Sequence, residues 1–94
     1  MEIRYSKAAL KTLQIYDKYL RQRIRNKIKG LALTPPLGDI KALSGEKSVY
    51  RLRVGKFRVL FEYNIEEVVN KDGTKGEKKV LSIIDIDSRG EIYK

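Results

Sequence analysis

"YRLRVGKFRVLFEY", residues 50–63, alternates basic and apolar side chains on both sides of Gly55-Lys56. Two alternating runs joined by two residues read as a β-hairpin, and glycine at the first turn position suits a type II′ turn. That turn predicts the pairs Val54–Phe57, Arg53–Arg58, Leu52–Val59 and Arg51–Leu60. Side chains alternate across a sheet. Tyr50, Leu52, Val54, Phe57, Val59, Phe61 and Tyr63 therefore share one face, which is a core face. Arg51, Arg53, Arg58, Leu60 and Glu62 share the other. A one-residue slip would mix the two sets, so the pattern itself selects the register.

The arginine face carries an electrostatic cost. Like charges directly opposite destabilise a strand pair by roughly 0.2–1 kcal/mol, and Arg53 is expected opposite Arg58. Two readings compete. In one, the arginines form a solvated face relieved by acids such as Glu62, Asp85 and Asp87. In the other, the face receives an anion.

Composition narrows the choice of partner. The chain has 94 residues, enough for a single domain spanning 1–94, and 41% apolar residues, enough for a core. Its 21 Lys+Arg against 12 Asp+Glu leave a formal net charge of +9. Such an excess points to nucleic acid, an anionic membrane or an acidic protein. No apolar run is long enough to span a bilayer, and no signal-peptide pattern opens the sequence. There is no cysteine and no histidine. Disulfides, thiolate nucleophiles and Ser–His–Asp arrangements are thereby excluded, and a zinc site has no soft or imidazole ligands. The expectation is a cytoplasmic protein without metal or cofactor. Any proton transfer must use carboxylates, Lys, Arg or Tyr.

Working outward from the hairpin, residues 2–6 ("EIRYS") read as a short strand, with Ser6 as the N-cap of a following helix. Ala9, Leu13, Tyr16, Leu20, Ile24, Ile28 and Leu31 recur at spacings of three and four, the helical period. Asp17 is placed to cap a second helix, so two helices are expected rather than one. Pro35 and Pro36 end the helical region. Residues 37–47 read as a loop, 70–78 as a polar turn, and 79–87 ("KVLSIIDID") as a central strand covered by the helices. The expected fold is α+β, with two N-terminal helices packed on a small, mainly antiparallel sheet in the order β-α-α-β-β-β. Lys18, Arg21, Arg23, Arg25, Lys27 and Lys29 crowd the second helix without an acid among them. With Lys56 in the turn and Lys94 at the end of the chain, they form an expected RNA- or ribosome-docking surface; any one of the helix residues alone reads first as a solvated helix position.

"VYRLRVGKFRVLFEY", the short apolar strand after it and the terminal "RGEIYK" resemble the RelE/ParE superfamily of toxins from toxin–antitoxin pairs. "IRYSKAALKTL" and "PPLGDIKAL" extend the resemblance over essentially the whole chain. The RelE-like branch implies a ribosome-dependent, metal-independent mRNA endonuclease. The ParE-like branch implies a DNA gyrase inhibitor without nuclease activity. A third possibility is an inactive nucleic-acid-binding member. Carried over by position, the resemblance implies catalytic roles for Arg51 and Arg53 on the first hairpin strand, Arg58 on the second, and Arg89 and Tyr93 in the tail. The chain departs from the pattern at Ser88, where many relatives carry histidine, and at Asp87, in a region where some carry a second arginine. Arginines also replace lysines on the first hairpin strand. The resemblance further implies an acidic antitoxin as partner, with ribosome and mRNA as targets.

The chemistry is consistent with that inventory. Attack of an RNA 2′-OH on its adjacent phosphate needs a proton acceptor, a proton donor and positive charge where the phosphorane builds negative charge. Arginine binds phosphate oxygens bidentately and stays charged. Tyr93 is the candidate for moving the proton, because nearby cations favour a phenolate. Its alternative role is to dock the tail together with Ile92. Glu91 is the weaker candidate base.

Overall fold

The computed structural model describes residues 1–43 and 48–88. Strand β1 (Glu2–Tyr5) leads directly to Ser6. The Ser6 hydroxyl accepts a hydrogen bond from Ala9 N at 3.0 Å and so caps helix α1 (Lys7–Ile15). Asp17 repeats the device: its Oδ1 accepts from Leu20 N at 2.9 Å and opens α2 (Lys18–Gly30). The helical stretch is thus two helices, as the capping residues predict. Their apolar stripe, Ala9, Leu13, Ile24, Ile28 and then Leu31, is fully buried, with Tyr16 and Leu20 partly covered at the elbow between them.

The remaining elements are β2 (Asp39–Ala42), β3 (Val49–Val54), β4 (Phe57–Val69) and β5 (Lys75–Asp87). They form one five-stranded sheet in the order β1-β5-β4-β3-β2. β1 runs parallel to β5; every other pair is antiparallel. The fold is α+β as expected, but the element order gains a strand. β2 lies within the predicted loop 37–47 and pairs along β3, with Ile40 opposite Leu52. Four residues with a single large apolar side chain carry too little alternation to mark a strand. Short, charged edge strands of this kind are how sheets end without inviting further pairing.

The other difference is length. β4 continues to Val69 and β5 begins at Lys75, so the polar turn contracts to residues 70–74. Val80, paired with Asn64, lies opposite Glu2, where β1 begins, and β3 begins opposite Glu62. Beyond those rows the two long strands pair only with each other, as a two-stranded ribbon. Glu67 and Lys75 bridge it at 3.3 Å. Because the ribbon stands outside the core, no apolar run announces it.

The hairpin has the register that its alternation predicts: Val54 opposite Phe57, Arg53 opposite Arg58, Leu52 opposite Val59, Arg51 opposite Leu60. Gly55 has φ 59° whereas Lys56 does not take a positive φ, which is the type II′ requirement. Leu52, Val54, Phe57, Val59 and Phe61 face the helices and are buried. Phe61 stacks on Tyr50 at 5.6 Å and meets Tyr63 edge-on at the same distance.

A β-bulge interrupts the β4–β5 ladder. Leu60 pairs with Asp85 but Phe61 pairs with Ile83, so Ile84 is the extra residue. Before the bulge Leu81 and Ile83 point into the core; after it Ile86 does. Asp85 and Asp87 are thereby turned to the arginine face. Ser6 secures the irregular point twice, since its backbone N donates to Ile83 O at 2.9 Å and its hydroxyl donates to Ile84 O at 2.6 Å. Among the described residues no helix is long and apolar enough to cross a membrane.

On the open face, Arg4 bonds Glu2 and Glu66, and Lys78 bonds Glu2 at 2.9 Å. The network ties edge strand β1 across β5 to β4. The Arg4 and Lys78 partners hold the Glu2 carboxyl down at about 2 and lower that of Glu66.

Two outcomes follow from these contacts. Ser6→Ala removes the cap of α1 and the donor to the bulge together, so it should cost about 2 kcal/mol in urea denaturation, more than a cap alone at about 1. Glu2 is more acidic folded than unfolded, so the unfolded chain binds more protons between about pH 2 and the ordinary glutamate value of about 4.3. Stability should therefore rise with pH through that window and fall on acidification. Glu2→Gln should flatten this slope, and because the network is exposed, salt should flatten it too.

Candidate functional site

The hairpin turn, the helix elbow and the end of β5 meet at one end of the molecule. Tyr16, the last residue of the elbow before the Asp17 cap, sets its ring edge-on to Phe57 at 5.2 Å. Lys56 lies over the Phe57 ring, its Nζ 5.6 Å from the centroid. Arg23 of α2 reaches the turn as well: a β-carbon built on Gly55 would lie 3.3 Å from Arg23 Nη2. Burial, then the carboxylates of Asp87 and Asp85, push the Tyr16 phenol above its ordinary value.

The arginine face is organised in cross-strand rows. In the outermost row Asp39 of β2 pairs with Arg53 of β3, Arg53 with Arg58 of β4, and Arg58 with Asp87 of β5. The order of charges is acid, base, base, acid. In the next row Lys41 pairs with Arg51, Arg51 with Leu60, and Leu60 with Asp85. The acids that flank the arginine pair are Asp39 and Asp87, whereas Glu62 sits farther along β4, opposite Val49 and Ser82. Asp85 turns its Oδ1 back to Ile86 N at 2.8 Å.

Each arginine has its own setting. The Arg51 side chain is only 13% exposed and approaches Asp39 Oδ1 with Nη1 at 3.6 Å. Arg58 is half-buried and donates from Nη1 to Gly55 O and Phe57 O, both at 3.0 Å. Arg53 is exposed and reaches the same Gly55 carbonyl with Nε at 3.5 Å. One carbonyl thus gathers two guanidinium groups at the turn. That shared acceptor partly offsets their mutual repulsion, and each guanidinium carries five donors, more than one carbonyl can engage.

The basic residues of α2 divide by environment. Arg21 is folded inward, donating from Nε to Leu13 O at 3.1 Å and from Nη2 to Tyr16 O at 3.0 Å, which closes the C-terminal end of α1. Arg25 lies over the Tyr5 ring, 5.3 Å from its centroid. Arg23 lies at the hairpin turn, and Lys18, Lys27 and Lys29 are exposed. Lys27 and Lys29 occupy the last turn of α2, where cations complement the helix dipole. Arg89, Tyr93, Glu91 and Lys94 lie outside the described residues. Tyr16 is the residue that sequence reasoning left in the core stripe; its only signal was an aromatic at the stripe's end, next to a helix cap.

Two helices on a sheet whose N-terminal strand runs parallel to the last one is the architecture of RelE-type toxins. A RelB–RelE antitoxin–toxin complex from Methanococcus jannaschii is similar at 26% identity and a TM-score of 0.63, over 96% of this chain and 94% of that one. A RelBE toxin–antitoxin complex from Mycobacterium tuberculosis is similar at 19% identity and TM-score 0.63, over 94% and 96%. The isolated RelE toxin of E. coli shares 18% identity at TM-score 0.62, over 98% and 89%. The family model described as the ParE toxin of type II toxin–antitoxin systems, parDE, matches residues 3–93, and the chain belongs to that family. No curated protein sequence matches it significantly.

Removing one flanking acid should expose the row's positive charge. Asp39→Asn leaves Arg51 and Arg53 without their β2 carboxylate, so the variant should elute from immobilised heparin at higher salt than the parent chain. Unchanged or earlier elution would show that Asp39 does not moderate the arginine face.

Proposed function

We propose that this toxin is a ribosome-dependent mRNA endonuclease that halts translation in the cytoplasm. The observation that carries the reading is the Arg53–Arg58 pair, held on one carbonyl at the end of the sheet where β5 runs toward the segment bearing Arg89 and Tyr93. A phosphodiester placed there meets guanidinium groups from two strands. In the reaction the RNA 2′-oxygen forms a bond to the adjacent phosphorus and the bond to the 5′-oxygen breaks, leaving a cyclic phosphate and a free 5′-hydroxyl. Arg58 and Arg89 stabilise charge on the phosphorane, Arg51 and Arg53 orient the backbone, and Tyr93 moves the proton. The net charge of +9 suits an acidic antitoxin that covers the basic surface and folds as it does so.

A second reading, inhibition of DNA gyrase, is favoured by the ParE description of the matching family and by the acids at both ends of the arginine row. Mapping mRNA ends in a translation extract separates the two. The endonuclease produces new ends on ribosome-bound mRNA, and Arg58→Ala reduces them at least about 100-fold, the usual scale for losing one charge-stabilising donor. Intact mRNA together with inhibited supercoiling by purified gyrase would replace this reading with the second.

A further inference from the structure

Tyr19 is the most exposed large hydrophobic side chain of the protein's described residues, at 86%. It lies on α2 four residues before Arg23, and residues four apart on a helix are surface neighbours. Arg23 in turn sits against the Gly55 turn, where Arg53 and Arg58 converge on one carbonyl. An exposed aromatic ring therefore neighbours Arg23 on the helix surface, and Arg23 in turn reaches the turn on whose carbonyl Arg53 and Arg58 converge. Nothing in the fold requires Tyr19 to be aromatic, since Leu20 and Ile24 supply that helix's contact with the core.

We propose that this surface is a docking track for single-stranded RNA, in which Arg23, Arg53 and Arg58 hold backbone phosphates and Tyr19 stacks on an unpaired base. The inference rests on the endonuclease reading for its ligand and adds a positioning element outside the reacting groups. Guanidinium forks match phosphate oxygens, and an isolated exposed ring beside them is the pairing that single-strand binders use, because every base offers a π-face. A duplex hides those faces, so the track selects unpaired RNA. An acidic peptide would satisfy the arginines but makes no comparable use of the ring.

Fluorescence anisotropy of a labelled 2′-O-methyl oligouridine tests the proposal with the full chain and no ribosome. This probe cannot be cut through its 2′-oxygen, so binding is read apart from chemistry. Tyr19→Ala should weaken binding about tenfold and Tyr19→Phe should restore it, because stacking needs the ring and not the hydroxyl. Arg23→Gln should weaken binding and reduce the slope of log affinity against log salt by about 0.7, the loss of one phosphate contact. Unchanged thermal melts establish that each variant is folded. Binding of Tyr19→Ala equal to that of the parent overturns the proposal. So does a polyglutamate peptide that binds with the same dependence on Tyr19. If mRNA is cut on ribosomes while Tyr19→Ala binds normally, only the track fails; if nothing is cut while the Tyr19 dependence holds, only the endonuclease reading fails.

Discussion

The hydroxyl of Ser6 joins the two halves of the fold at their most irregular point. It accepts the Ala9 amide to start α1 and donates to the carbonyl of Ile84, the residue that the β4–β5 ladder skips. Without the bulge, alternation along β5 would carry on unbroken from Leu81 and Ile83, and Asp85 and Asp87 would enter the core while Ile86 faced water. With it, Ile86 is buried and both carboxylates reach the arginine face. The helix cap and the bulge that sets core closure and the charge pattern of the open face thus meet at one small side chain between β1 and α1.

That charge pattern shows how a like-charge pair is tolerated. Arg53 and Arg58 repel, yet Asp39 and Asp87 stand on either side of them, and both guanidinium groups lean on the Gly55 carbonyl. In the neighbouring row the Arg51–Asp39 approach, at 3.6 Å, is loose. The two readings of the face, solvated and anion-receiving, are therefore compatible. Flanking acids offset the repulsion within the face, and its arginines keep the fork geometry that binds an oxyanion.

What was legible in the sequence followed from strong local rules. The hairpin register came from alternation and a glycine turn, and the helix break came from an aspartate at a capping position. β2 was hidden because Ile40 is its one core contact. The outer halves of β4 and β5 were hidden because a two-stranded ribbon in water needs no apolar stripe. The bulge left no local mark at all, since "SIIDID" reads equally well as a regular strand; the side chain that bonds to it, Ser6, is 78 residues away. For the same reason the spacing of arginines on β3 and β4 was readable, whereas the approach of Arg23 and Tyr16 to the turn depends on how the helices pack.

The two ends of the long strands obey different length rules. In the ribbon, residues can be lost or gained in cross-strand pairs with no effect on the core, because only β4 and β5 are involved there. Between Leu81 and Asp87 the bulge absorbs one residue: deleting Ile84 would restore a regular ladder and leave Asp85, Ile86 and Asp87 on their present faces, whereas one insertion after the bulge would exchange inside for outside in everything that follows. Relatives of this chain are therefore free to differ in the reach of the ribbon and to lose the extra residue of the bulge, but a residue gained in the last part of β5 would have to be matched by a second change before the tail.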